Sequence, residues 1–170
     1  MAKLCRFSSN EFSQNAFGIM EPFLTRSGIS NVNFGKDVRV VEPVNLYDCS
    51  IGNESFIGPF VEIQQSVEVG ERCRIQSHSF ICEGVRIGND CFIGHGVMFI
   101  NDPFSTGAPA RGDKTKYRST SVGNNVSIGS NATILPVSIC DNTVIGAGAV
   151  VTVDISIPGK YAGNPARKID

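Results

Sequence analysis

From Ile51 onward the chain places a large apolar residue at every sixth position: Ile51, Ile57, Ile63, Val69, Ile75, Ile81, Ile87, Ile93 and Phe99. Two residues before each stands a small or β-branched one: Cys49, Ser55, Val61, Val67, Cys73, Ser79, Val85, Cys91 and Val97. Glycine follows the large residue at Gly52, Gly58, Gly70, Gly88 and Gly94. Upstream the pattern runs through Phe34, Val40 and Leu46, each preceded by Val32, Val38 or Val44, and one residue is dropped between Leu46 and Ile51. Downstream it resumes at Val122, Ile128 and Ile134, drops a residue, and continues through Ile139, Ile145, Val151 and Ile157.

Two apolar side chains two residues apart point to the same side of an extended strand, and a polar pair with glycine then bends the chain. One six-residue unit is therefore one short strand and one bend. Three bends close a triangle, so about eighteen residues make one coil, and coils stack about 4.8 Å apart through ladder hydrogen bonds. A β-sandwich would vary its strand and loop lengths, and nine unbroken hexads exclude it. The composition agrees, with 18 glycines, no tryptophan and abundant valine and isoleucine, which is strand and turn material. The expected fold is all-β: one domain, a parallel solenoid over 31–157. Residues 1–30 are expected to form an irregular N-terminal cap, and 158–170 a C-terminal tail that leaves the pattern.

The repeat breaks once, over 101–119, where Pro103, Gly107, Pro109 and Gly112 accompany Arg111, Lys114, Lys116 and Arg118. A long excursion inside a compact repeat is usually functional. The eighteen-residue coil also predicts spatial neighbours. Asn101 falls over Glu83 and Glu83 over Gln65, a polar column at one corner. His95 falls over Ser77 and His78 lies under Gly96, which brings both histidines of the chain to another corner in adjacent coils. A whole face of the prism separates the two corners, so a single chain does not bring His95 to Asn101, whereas a symmetric trimer does.

Charge and motifs narrow the chemistry. Fifteen basic and 16 acidic residues give a net charge of -1, without the basic face that nucleic-acid binding requires. No apolar run approaches the roughly 20 residues of a membrane span, and the first twenty residues lack the pattern of a signal peptide. A cytoplasmic chain is expected, with its six cysteines as thiols. Cys49, Cys73 and Cys91 fill the small inward position. No Cys/His spacing suggests a metal, and no GxGxxG or P-loop pattern is present.

The chain resembles the hexapeptide-repeat acyltransferases, and within them bacterial sugar N-acyltransferases. The resemblance is carried by the run from Gln76 to Gly84, by Ile93-Gly94-His95-Gly96-Val97-Met98-Phe99-Ile100-Asn101-Asp102, and by Ile145-Gly146-Ala147-Gly148-Ala149-Val150-Val151 with Pro158 to Ala166. It is most similar to nucleotide-sugar N-acetyltransferases of the UDP-2-acetamido-3-amino-2,3-dideoxyglucuronate N-acetyltransferase type. The resemblance implies left-handed coils, although the usual crossover rule would favour the other hand. It also implies acetyl-CoA as co-substrate without a metal, a nucleotide-linked deoxyamino sugar as acceptor, a role in bacterial surface-polysaccharide (lipopolysaccharide) biosynthesis, and a homotrimer with sites between subunits. Asn101 matches the asparagine that contacts the amino sugar. O-acetylating relatives carry a catalytic histidine about where Asp102 and Pro103 stand, and its absence favours an amine acceptor.

A sugar amine, with a pKa near 8 by analogy with an α-amino group, is about a tenth free base at pH 7. It needs positioning and oxyanion stabilisation more than a strong base. The catalytic candidates are His95, His78, Asn101 and Glu83. Asn101 and Glu83 orient the amine, with Gln65 and the loop residue Arg111 beside them for substrate binding. His95 or His78 of an adjacent subunit accepts the proton or only contacts the thioester. If Val122 takes the face after the excursion, Ser130 and Ala147 continue the His95 corner. Gly129, Ser130, Gly146 and Ala147 then form a groove for the pantetheine arm, with Asn164 and Pro165 from the tail. Arg167, Lys168 and Lys160 are the cations available to the phosphates. The competing readings are another acceptor (a hydroxyl or small amine), a longer acyl donor, or a non-catalytic solenoid scaffold. Carbonic-anhydrase-like relatives need three zinc histidines, and this chain has two.

Overall fold

The structure, a computed structural model, describes residues 24–169. It is a left-handed parallel β-helix of three flat faces. The first face stacks Ile29–Ser30, Asn45–Tyr47, Glu62–Ile63, Phe80–Ile81, Met98–Phe99, Thr133–Ile134 and Val150–Val151. The second runs from Asn33–Phe34 through Ser50–Ile51, Glu68–Val69, Arg86–Ile87 and Ser121–Val122 to Ser138–Ile139. The third begins at Arg39–Val40 and Phe56–Ile57, passes Arg74–Ile75, Phe92–Ile93 and Ser127–Ile128, and reaches Thr143–Ile145 and Gly159–Ala162. All these strands pair in parallel, in register with the coil before and after.

All nine large residues from Ile51 to Phe99 are buried, as are the nine small ones two positions earlier. The structure supplies a reason for hydroxyls and thiols in the small row. All of its polar members except Cys49 donate to a carbonyl of the next coil, where the bend would otherwise leave that oxygen unpaired. Ser55 Oγ donates to Gly70 O at 3.0 Å, Cys73 Sγ to Gly88 O at 3.1 Å, Ser79 Oγ to Gly94 O at 2.7 Å and Cys91 Sγ to Gly123 O at 3.1 Å. An unpaired buried carbonyl costs about 1–3 kcal/mol, so these donors stabilise the corners. Burial pushes the Cys82 thiol up to about 12 and the Cys49 thiol up to about 11, which keeps both inert as nucleophiles.

The corners are closed by a second device. Asn89, Asn124 and Asp141 stack where the second face meets the third, and the side-chain oxygen of each accepts a backbone N–H from the coil before: Glu71 N to Asn89 at 2.9 Å, Asn89 N to Asn124 at 2.9 Å, Asn124 N to Asp141 at 2.8 Å. Glycine precedes Asn89 and Asn124 because the coils approach closely there. A Cβ on Gly88 would lie 2.7 Å from the backbone of Gly123.

The ends differ from the sequence expectation. The ladder already includes Ile29–Ser30, which pairs with Leu46–Tyr47; the cap expected over 1–30 otherwise lies largely outside the described residues. Phe34, in the terminal rung of the second face, is 42% exposed. Ile157 does not continue the hexads and is 60% exposed, while Ile155 is buried and bridges Ile139. The coil after Ile139 is shorter than eighteen residues, so the inward position arrives two residues early. The last segment stays in the sheet: Thr143, Val144 and Ile145 pair with Gly159, Lys160 and Tyr161, and Arg167–Lys168 folds back antiparallel on Tyr161–Ala162. No described helix is long and apolar enough to cross a membrane.

Candidate active site

Arg86 pairs with Ser121 and Ile87 with Val122, so the second face resumes directly after the excursion. The excursion therefore leaves from the corner between the first and second faces and returns to it. Arg118 N donates to Asn101 O at 2.8 Å and closes its neck. Asp102 organises the interior, accepting from Phe104 N at 3.0 Å and Ala110 N at 2.7 Å. By resemblance Asp102 stands about where O-acetylating relatives carry a catalytic histidine. In the structure it shapes the loop.

At this corner Gln65, Glu83 and Asn101 form one column. Gln65 Nε2 donates to Glu83 Oε2 at 2.9 Å, and Asn101 Nδ2 donates to Glu83 O at 3.3 Å. The remaining carboxylate oxygen, Oε1, accepts from Lys114 Nζ at 2.8 Å. Lys114 begins the short 3-10 turn Lys114–Lys116 of the excursion, capped by Asp113. The sequence shows Lys114 among the loop cations, but no register links a loop residue to the column. Partial burial opposes ionisation of Glu83, but the hydrogen bonds from Lys114 and Gln65 and the Lys114 charge outweigh it and hold the carboxyl below its usual range. Glu83 is thus a fixed anion that receives an ammonium group, not a proton acceptor near neutrality. Arg111 is exposed in the loop at φ 53° and does not join the column.

Glu83 carries a pH dependence of known sign. Its folded pKa is depressed, so the Lys114–Glu83 contact contributes above the ordinary glutamate range and is lost as pH falls through the folded value. The decline of Tm from about pH 6 to about pH 3 is expected to be steeper in the native protein than in Glu83→Gln. Equal slopes in the two proteins would refute this.

The corner between the third and first faces carries the histidines. His95 Nδ1 lies 2.8 Å from Ser77 Oγ of the coil below. His78 stacks on Phe60, with ring centroids 4.8 Å apart and 12° between planes. Phe92–Ile93 pairs with Ser127–Ile128 and Ser127–Ile128 with Val144–Ile145, which places Ser130 and then Ala147 above His95. Asn131 N donates to His95 O and Gly148 N to Ser130 O, each at 2.8 Å. The result is a ledge: His95, then only small side chains. Its floor is tight, since a Cβ on Gly94 would lie 2.7 Å from Ser130 N and one on Gly146 3.1 Å from the Ala162 side chain.

Asn164 and Pro165 lie in the exposed turn between the last two strands, beyond Gly163, whose carbonyl accepts Val150 N at 3.0 Å. Arg167 and Lys168 are exposed on the antiparallel strand at the end of the third face, where pairing with Ala162 and Tyr161 fixes their backbone. The two corners stand on opposite sides of the first face, as the register predicts, and the single chain does not join them. Among the described residues no three His, Cys, Asp or Glu side chains converge to hold a metal.

The family model described as bacterial transferase hexapeptide (six repeats) matches residues 48–83, and that described as hexapeptide repeat of succinyl-transferase matches 119–153. Among characterised proteins, the bifunctional protein GlmU of Synechococcus sp. strain CC9605 is 28% identical over 148 residues, covering 83% of this chain and 32% of that protein. The GlmU of strain CC9311 is 32% identical over 131 residues, 73% and 29%. The chain thus spans under a third of these relatives. Among solved structures, AntD, an N-acyltransferase from Bacillus cereus in complex with dTDP and coenzyme A, superposes with a TM-score of 0.72 at 24% identity, covering 81% of this chain and 82% of that one. A hexapeptide-repeat acetyltransferase from Vibrio cholerae O1 biovar eltor, complexed with acetyl coenzyme A, gives 0.60 at 22%, covering 71% and 69%. At these identities the structures establish a shared fold.

Proposed function

Because the chain belongs to the hexapeptide-repeat family, whose models match its regular parts on both sides of the excursion, we propose that it is a coenzyme A-dependent acyltransferase acting on the amino group of a nucleotide-linked deoxyamino sugar. The observation that carries the acceptor is the Glu83 carboxylate. It is held by Gln65 beneath Asn101 and already binds a primary ammonium, that of Lys114. A carboxylate so placed suits an acceptor that docks as an ammonium and gives up its proton before attack, and a hydroxyl acceptor has no such charge to match. The structures of AntD with dTDP and coenzyme A and of the Vibrio protein with acetyl coenzyme A support the donor and the nucleotide.

In this reading acetyl-CoA lies along the ledge of Gly129, Ser130, Gly146 and Ala147. Asn164 and Pro165 border its outer end, and Arg167, Lys168 and Lys160 face its phosphates. The acceptor amine sits at the Glu83–Asn101 column of one subunit of a homotrimer, against the histidine corner of the next. Arg111 meets the pyrophosphate or a sugar carboxylate. The amine attacks the thioester carbonyl, backbone N–H groups of the glycine turns stabilise the oxyanion, and His95 or His78 takes the proton. The acylated sugar would serve bacterial surface-polysaccharide assembly in the cytoplasm.

The test is thiol release from acetyl-CoA on adding UDP- and dTDP-linked 3-amino and 4-amino deoxysugars. One of these should turn over with saturation, and Asn101→Ala should remove most of that turnover. Binding of acetyl-CoA without release on any amine, but with release on the matching hydroxy sugar, would replace the amine acceptor by a hydroxyl.

A further inference from the structure

We propose that His95, and not His78, accepts the proton from the acceptor amine, and that Ser77 is the positioning residue that sets its tautomer; this rests on the acyltransferase reading. The two histidines share one corner in adjacent coils, yet their surroundings differ. The His95 ring is held through Nδ1 by Ser77 Oγ at 2.8 Å. Its Nε2 has no hydrogen-bond partner among the described residues, and the residue is exposed. The His78 ring is held through its face by Phe60, and no side-chain hydroxyl fixes either of its nitrogens.

The consequence is chemical. A neutral imidazole carries one N–H, and an imidazolium carries two. If His95 donates Nδ1–H to Ser77 Oγ, its Nε2 lone pair is exposed. When Nε2 then takes a proton, the Nδ1–H···Oγ bond is retained and the hydroxyl does not rotate. Ser77 Oγ therefore suits both protonation states through one geometry, the arrangement a base needs. A ring stacked on Phe60 has no such support.

Position separates the histidines again. His95 lies directly under Ser130, with Ala147 one coil further. Gly96 succeeds His78 in its own column, where Gly96 N donates to Ser77 O at 3.0 Å. His95 is thus one coil from the small-residue ledge and His78 two.

The free amine attacks the thioester carbon, the N–C bond forms and the carbonyl pair moves to oxygen. A proton passes from nitrogen to His95 Nε2. As the intermediate collapses, the C–S bond breaks and the departing thiolate takes that proton, leaving coenzyme A as the thiol and His95 neutral.

The chain has 2 histidines, so imidazole nitrogen NMR of 15N-histidine-labelled protein gives two signal sets, assigned with His78→Gln. His95 is expected as the Nδ1–H tautomer in the native protein, as mainly Nε2–H in Ser77→Ala, and again as Nδ1–H in Ser77→Thr. With the best-turned-over amino sugar of the UDP and dTDP panel, His95→Gln is expected to lower kcat about 100-fold or more. Ser77→Ala should lower kcat about tenfold at unchanged acetyl-CoA affinity, with recovery in Ser77→Thr. An Nε2–H tautomer for His95 in the native protein, or a larger kcat loss in His78→Gln than in His95→Gln, would overturn the proposal while acetyl-CoA still binds. Absence of any acetyl-CoA binding would instead remove the acyltransferase reading beneath it, and the tautomer would still be readable.

Discussion

Titrated into this protein, acetyl-CoA is expected to bind saturably, and Ala147→Trp to weaken that binding at least about 100-fold, a loss of some 2.7 kcal/mol. Ala147 is exposed above Ser130 and His95 at the corner between the third and first faces. The ledge there is lined by Gly129, Ser130, Gly146 and Ala147, whose small side chains leave the backbone open to an extended pantetheine arm. An indole at Ala147 fills that path. It meets no core atoms, because the side chain points away from the buried row of Ile128, Ile145 and Val151. The unliganded variant should therefore keep its Tm, and only the ligand-induced rise in Tm should vanish, since a ligand that binds the folded state stabilises it by mass action. Full binding in Ala147→Trp would move the donor to another face. No binding to the native protein at millimolar acetyl-CoA would sink the coenzyme A reading and leave another donor or a scaffold role.

The coil was legible because burial in a solenoid is strictly periodic. Eighteen inward residues between Cys49 and Phe99 follow from one spacing rule, and so do the stacking of Ser77 with His95 and of Gln65, Glu83 and Asn101. The rule fails where the coil length changes. Ile157 carries the right residue type, but the shortened last coil of the second face brings Ile155 to the inward position instead. Pro158 and the glycines after it read as an exit, whereas Gly159–Ala162 finds an open ladder edge along Thr143–Ile145 and pairs there. Lys114 was out of reach for another reason. It meets Glu83 across 31 residues through a non-repeating loop, and only the fold of that loop, set by Asp102 and the Asn101–Arg118 neck, brings it back to the corner. The site was thus legible where its residues sit on the repeat, whereas in the excursion the sequence shows the cations but not which of them reaches the column.

Phe99→Ala is expected to be the most destabilising single truncation, costing about 3–5 kcal/mol, which for a chain of this size lowers Tm by roughly 6–20 °C. Phe99 is fully buried, the largest such side chain among the described residues, and sits in the first face at the rung between Ile81 and Ile134. The faces are held by ladder bonds above and below, so the coils cannot close over the void and most of the cavity cost stands. The effect should also reach the site. Two residues on is Asn101, whose amide holds Glu83 O and whose carbonyl receives Arg118 N at the neck of the excursion. Relaxation of the strand into the cavity pulls on both bonds, so Phe99→Ala should raise KM for the amino sugar even at temperatures where the protein stays folded. Phe99→Leu keeps most of the volume and should cost under about 1.5 kcal/mol, separating cavity from chemistry. Urea unfolding of the two variants measures the difference. A Phe99→Ala cost below about 1 kcal/mol would mean that the coil collapses freely around that rung, and the rigid support that the corner column draws from the first face would have to be abandoned with it.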